Sequence, residues 1–218
     1  MDFRVHQEVN IPVGKVTLPG ELIVPLNARA IIIFSHGSGS SRFSKRNQMV
    51  AKYLHKKSLG TLLFDLLTQE EDVHYYNRFD IDLLTKRLAG ATEWLERLPA
   101  AKDCRIGYFG ASTGAASALK AAAFLPQICS VVSRGGRPDL AMENLPQVEA
   151  PTLLIVGSLD YDVLNLNKEA YTQLGGEKKL EVVDGATHLF EEPGKMEIVS
   201  ELAGNWFEKH LTRVSIEK

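Results

Sequence analysis

The stretch Ile106–Leu119, IGYFGASTGAASAL, runs an apolar strand pattern into a serine flanked by glycines and continues at once as an alanine-rich helix pattern. Within it, Gly110-Ala111-Ser112-Thr113-Gly114 fits G-x-S-x-G. A strand-to-helix corner of that sharpness forces its central residue toward unfavourable backbone angles, and only small neighbours avoid a clash there. The corner lifts the Ser112 hydroxyl above the sheet edge, near the N-terminus of the next helix. Backbone N–H groups in that place can stabilise an oxyanion. The competing reading is an ordinary turn in which Ser112 caps the helix. Partners elsewhere in the chain have to decide between the two.

Upstream, AIIIFS (Ala30–Ser35) is a near-continuous apolar run that suits a central strand covered on both faces. TLLFDLL, CRIGYFG, CSVVSRG, PTLLIVG and KLEVVDG predict five further strands. Helical spacing marks Met49, Val50, Tyr53 and Leu54, a segment ended by Gly60. It also marks Leu84, Leu88, Ala91, Leu95 and Leu98 on a helix from about Ile81. Further helices are expected over Thr113–Phe124, Leu166–Leu174 and Lys195–His210. VHQEVNIPVG and GELIVPL predict two short strands around a turn at Leu18–Gly20, at an antiparallel edge. QEEDVHYYNRFD reads as a long polar and aromatic connection whose QEED faces solvent, and GGRPDLAMENLPQVEA as a loop with one short helix. Strands alternating with helices argue for the α/β class, a mostly parallel sheet with helices on both faces. No internal repeat or linker appears, so residues 1–218 are read as one domain.

The formal net charge of −2 provides no basic face for a phosphate backbone, so no nucleic acid partner is expected. Cys104 and Cys129 sit in strand-like apolar runs and read as free thiols in a reducing compartment. MDFRVHQEVN lacks an apolar signal core, and no stretch of 18 apolar residues occurs. A cytoplasmic protein without a membrane partner is therefore expected. A homo-oligomer is left open.

A serine hydroxyl needs a base to take its proton, and the base must be held in one tautomer. Of six histidines, His6 and His55 fall in surface-like segments, His210 lies near the terminus, and His74 belongs to the polar connection. His36 directly follows the AIIIFS strand and suits a loop-fixing role. His188, in VVDGATHLF, lies in a short loop after a late strand, and such loops reach the carboxyl edge where open α/β sheets build their sites. The orienting carboxylate should lie between Ser112 and His188. In IVGSLDYDV, Asp160 is closer to the strand end than Asp162, which could cap the following helix. Asp65 and Asp139 are weaker competitors. The order Ser, Asp, His is the one this architecture requires.

The oxyanion needs two donors. Thr113 N–H, behind the nucleophile, is one; the second should come from HGSGSSR, with Ser38 N–H first and Gly39 next. That loop lacks the G-K-[S/T] ending of a P-loop, and no G-x-G-x-x-G opens a helix. No H-E-x-x-H-like spacing supports a metal, and the chemistry requires no cofactor.

Through IIIFSHGSGSS, GYFGASTGAA, PTLLIVGSLDYDV and DGATHLF, the chain resembles the α/β-hydrolases, and among them the compact dienelactone hydrolase type, from about Gly20 to Phe207. The resemblance implies Ser112 as nucleophile, Asp160 as acid, His188 as base and an oxyanion donor at Ser38. Dienelactone hydrolases proper use a cysteine nucleophile; Ser112 in its place implies a serine esterase branch. About sixteen residues separate the CSVVSR and PTLLIVG strands, where many α/β-hydrolases carry a helical lid, so the site should be shallow and without a large lid. Arg42, Arg134 and Arg137 lie in loops expected at the same edge, where each could bind an anionic part of a small ester substrate or form surface ion pairs. The expected function is ester hydrolysis through an acyl-enzyme. Thioester, amide or lactone hydrolysis would use the same groups, and a binding or scaffold protein could retain the fold without the reaction.

Overall fold

The computed structural model describes residues 2–211. Its first two strands, β1 (Phe3–Val13) and β2 (Val16–Pro25), form a hairpin. The turn lies at Gly14–Lys15, not at Leu18–Gly20, with Val13 opposite Val16. Gly14 supplies the left-handed φ of 61° that a two-residue turn demands. Pro19 and Gly20 lie within β2, opposite Asn10 and Val9. The missing side chain of Gly20 admits Phe64, whose Cβ would be 2.9 Å from a Cβ there.

Next come β3 (Ala30–Ser35), α1 (Lys45–Lys56), β4 (Gly60–Phe64), the four-residue α2 (Gln69–Asp72) and α3 (Ile81–Glu96). They are followed by β5 (Arg105–Ala111), α4 (Thr113–Phe124), β6 (Ile128–Arg134), β7 (Thr152–Gly157), α5 (Tyr161–Gln173), β8 (Lys178–Val183) and α6 (Lys195–Leu211). The strand order is β1-β2-β4-β3-β5-β6-β7-β8. β1, β2 and β4 pair antiparallel, while every pair from β4 through β8 is parallel. This is the mostly parallel sheet with helices on both faces expected from the alternation of strands and helices, in the α/β-hydrolase form that the resemblance implies.

β3 shows why its apolar run is unbroken. Ile31 and Ile33 pack with α3 and α4 on one face, against Leu88, Ala91, Ala118 and Leu119. Ile32 and Phe34 pack with α1 and α6 on the other, against Val50, Leu54, Val199 and Phe207. All six residues of β3 are buried. A strand covered by helices on both sides has no solvent face to mark with polar residues. Small side chains on the helix also matter: the alanines of α4, with nothing beyond Cβ, let it lie close on the sheet, with Ala115, Ala116 and Ala118 fully buried.

Two local expectations change. The QEED segment is the short helix α2, closed by a capping box between Thr68 and Glu71. Glu71 also pairs with the buried Arg87, and Asp72 with Arg78, so its acids anchor the connection instead of merely facing water. His55 is buried, with Nε2 2.8 Å from Thr61 Oγ1. The segment before β7 contains a kinked 3-10 stretch, Pro138–Gln147. Cys104 and Cys129 are free and half-buried. Among the described residues, no helix is long and apolar enough to cross a membrane.

Candidate active site

β5 ends at Ala111 and α4 begins at Thr113, leaving Ser112 alone in the corner with φ 51° and ψ −122°. A non-glycine residue in that region costs on the order of 1–3 kcal/mol, so the surroundings must hold it. Ser112 N–H donates to the Arg134 carbonyl at 3.2 Å, and the Ser112 carbonyl accepts from Ala115 N–H at 3.0 Å and Arg137 N–H at 3.1 Å. The hydroxyl makes no capping bond to α4, so the helix-cap reading fails on geometry.

The two glycines of the pentapeptide are needed for contact, not for left-handed φ. A Cβ on Gly110 would lie 2.4 Å from Ala115 Cα, and one on Gly114 would lie 2.1 Å from the Ser35 carbonyl oxygen. Their absence lets α4 start against the ends of β3 and β5. Gly37 is similarly close: a Cβ there would meet Ser112 Cβ at 3.1 Å.

Asp160 and His188 come together although 28 residues separate them. His188 Nδ1 donates to Asp160 Oδ2 at 2.7 Å. Asp160 stands at the N-cap position of α5 yet makes no capping bond, which leaves its carboxylate for the ring. The two loops are tied to each other by Leu159 N–H to the Ala186 carbonyl at 3.0 Å and by Gly185 N–H to Ser158 Oγ at 2.8 Å. Gly157 permits this approach, since a Cβ would sit 2.2 Å from the Ala186 oxygen. Buried Phe190, at φ 57°, anchors the His188 loop in the core under α1 and α6. Glu192 closes the loop by accepting Thr187 N–H at 3.1 Å. The His188 ring lies over Gly135, whose Cβ position is 3.5 Å from ring atoms Nδ1 and Cε1. Gly135 directly follows Arg134, the residue that holds Ser112 N–H, so the ring and the elbow share one backbone support.

The loop after β3 is rigidly braced. His36 is buried; its Nδ1 donates to the Gly37 carbonyl at 3.0 Å and its Nε2 accepts Leu66 N–H at 3.0 Å. Burial holds its pKa below the ordinary 6.5, against smaller opposing effects from the Gly37 bond and the charges of Asp65 and Asp72. The Gly37 carbonyl also accepts Ser40 N–H at 3.1 Å, across a turn in which Gly39 has φ 67°. Ser38 N–H, expected to face the reacting carbonyl, instead donates to Thr113 Oγ1 at 2.9 Å. Thr113 N–H is a first-turn donor of the kind a helix leaves without an intrahelical partner.

The three arginines are already engaged. Arg42 donates from Nη1 to Asp65 at 2.7 Å, lies 3.5 Å from Glu8 and stacks on Phe43. Arg137 makes two bonds of 2.8 Å to Asp139. Arg134, expected in an exposed loop, is instead 6% exposed at the end of β6, and its Nη2 donates to Asn47 Oδ1 of α1 at 3.4 Å. The parity of β6 explains this, because Arg134 shares the face of buried Val132. Burial, and then the charge of Arg46, pulls its pKa down to about 10. A groove of about 750 Å³ opens beside the loop after β3, lined by Ser40, Ser41, Arg42, Phe43, Asp65 and Thr68 among others. Ser112, Asp160 and His188 do not line it.

The sequence reading did not single out the exposed apolar residues near the sheet's carboxyl end. Phe43, Leu159 and Leu189 on loops, Tyr75 and Tyr76 in a 3-10 turn and Tyr161 at the start of α5 are all exposed. Leu159 and Tyr161 flank Asp160, and Leu189 follows His188. Large apolar residues inside otherwise polar loops were the available signal. Among the described residues, no group of three or more His, Cys, Asp or Glu could hold a metal ion.

This chain is 50% identical to dienelactone hydrolase from Anabaena variabilis, whose crystal structure superposes with a TM-score of 0.93 over 95% of this chain and 98% of that one. The chain belongs to the dienelactone hydrolase family. More distant members of the fold include Est1E from Butyrivibrio proteoclasticus (16% identical, TM-score 0.80, 93% of this chain and 98% of that one). An esterase from Pyrococcus furiosus is 19% identical, with a TM-score of 0.80 over 95% of this chain and 92% of that one. These last two show the shared fold alone. Two Mycobacterium tuberculosis proteins, each called "Putative phosphoribosyl transferase", are 53% identical over 206 residues, which is 94% of this chain and 46% of theirs. The chain of this dienelactone hydrolase family member thus spans about half the length of those curated relatives. No family model matches it.

Proposed function

We propose that this chain is a serine hydrolase that cleaves a small carboxylic ester through an acyl-enzyme. The observation that carries the reading is the His188–Asp160 bond of 2.7 Å, with the ring over Gly135, next to the Arg134 carbonyl that holds Ser112 N–H in a strained corner, the serine hydroxyl unused for capping. In this reading Ser112 Oγ attacks the ester carbonyl carbon while His188 Nε2 takes its proton. Asp160 holds the proton-bearing Nδ1 and stabilises the imidazolium that forms. Collapse of the tetrahedral intermediate expels the alcohol, which receives the proton from His188. Water then attacks the acyl-serine with His188 again as base, and the acid leaves.

Two further observations support an ester in particular. The exposed Leu159 and Tyr161 beside Asp160 and Leu189 beside His188 suit an uncharged acyl or aryl group. The relative that is 50% identical is named for a lactone, which is a cyclic ester. Serine in the nucleophile position, in place of the family's cysteine, favours an esterase over a hydrolase of the dienelactone itself.

Labelling with a fluorophosphonate probe and mass mapping tests the reading. A stoichiometric adduct on Ser112 in the wild type, lost in H188A, is the expected result. Folded wild-type protein that takes up no probe refutes it.

A further inference from the structure

Thr113 holds a hydroxyl proton with nowhere to go. Its Oγ1 accepts Ser38 N–H at 2.9 Å and makes no other hydrogen bond among the described residues. The side chain is 2% exposed, so solvent hardly reaches it. A hydroxyl offers one donated proton besides its acceptor lone pairs, and a buried donor left unmatched is costly. Thr113 also directly follows Ser112 in the elbow, and its own N–H is the first of α4.

The neighbouring loop keeps this arrangement in place. His36 Nδ1–H and Ser40 N–H both donate to the Gly37 carbonyl, at 3.0 and 3.1 Å. The Gly37 C=O and Ser38 N–H belong to one planar trans peptide and point in opposite directions. Fixing the carbonyl therefore aims the N–H at Thr113. For Ser38 N–H to reach an oxyanion itself, that peptide would have to turn and release both donors, or the Thr113 side chain would have to rotate away.

We infer that the second donor to the oxyanion is the Thr113 side-chain hydroxyl, with Ser38 N–H bonded behind it. Thr113 would then supply both donors: its backbone N–H, and an O–H whose oxygen is polarised by the Ser38 peptide. Accepting one hydrogen bond strengthens donation of the next along such a chain. Ser38 is a positioning residue in this scheme, acting through Thr113. The inference rests on the serine-hydrolase reading above and adds a catalytic group to it.

Substituting valine for Thr113 keeps the branched shape and the backbone N–H but removes the hydroxyl; T113S keeps the hydroxyl. If Ser38 N–H were the working donor and Thr113 only its resting cover, T113V would free that N–H, and activity would hold or rise. The two schemes therefore predict opposite signs. Using the full chain and a p-nitrophenyl ester, T113V is expected to lose about 10²–10³-fold in kcat with little change in KM, as removal of one oxyanion donor does. T113S is expected to retain most of the activity. An aryl trifluoromethyl ketone, which forms a tetrahedral adduct on serine, should lose affinity for T113V by a similar factor. Thermal melting checks that each variant folds, and T113A replaces T113V if valine does not. Unchanged kcat in T113V, or lost kcat with unchanged ketone affinity, overturns the inference while the wild type still labels at Ser112. A wild type that neither labels nor turns over refutes the underlying reading, and this inference with it.

Discussion

Replacing Gly114 with alanine puts a methyl group 2.1 Å from the Ser35 carbonyl oxygen and 2.5 Å from that of His36. Real Cβ contacts essentially never fall below 3.0 Å, so α4 and the end of β3 must separate by about 0.9 Å. Neither side yields easily. β3 is hydrogen-bonded to β4 and β5 on its two edges, and α4 is locked at its start by the elbow. Gly90→Ala in α3 is the natural comparison. Its methyl would meet Val13 Cγ1 at 2.4 Å, Cγ2 at 3.1 Å and Cβ at 3.3 Å, a side chain on the edge hairpin that can shift with its strand, and no backbone atom. Either change gains at most ~1 kcal/mol of helix propensity. Overpacking costs typically ~1–3 kcal/mol, with unyielding backbone at the upper end. Net, G114A is expected to destabilise by about 2 kcal/mol and G90A by about 1 kcal/mol, a difference of about 2–4 °C in Tm at this chain length. Because the displaced carbonyls belong to Ser35 and His36, ester turnover should fall in G114A and stay unchanged in G90A. Denaturant titration of both variants, with rates measured alongside, is the assay. Equal stability of G114A and G90A would refute the claim that backbone contact is what the glycine permits.

Two other outcomes follow from the same structure. S112G relieves the φ of 51° and ψ of −122° and should raise stability by about 1 kcal/mol while abolishing probe labelling; a destabilised S112G in denaturant titration would show that the corner is not strained. His55 has its pKa lowered to about 4 by burial first and by the charge of His6 second. A base depressed in the folded state takes up its proton more readily when unfolded, so stability is full above about 6.5 and declines as pH falls toward about 4. Melting curves across that window should show a smaller decline in H55Q than in wild type.

The sequence by itself determined the class of fold and the identity of the candidate groups. AIIIFS read as a two-sided central strand because its apolar run has no alternating polar face, and GASTG as a tight corner because such a corner admits only small neighbours. Asp160 and His188 were legible as residues at strand ends, since chain order and local pattern suffice for that. Tertiary structure alone decided how they meet. The 2.7 Å bond depends on Gly157 letting two loops touch, a contact no local pattern encodes. It also decided what Arg134 and Ser38 do. Strand parity turns the arginine toward Asn47 of α1, and a peptide braced by His36 turns the Ser38 N–H onto Thr113. Orientation of a side chain or an N–H depends on what packs around it from distant segments, and sequence spacing carries no record of that.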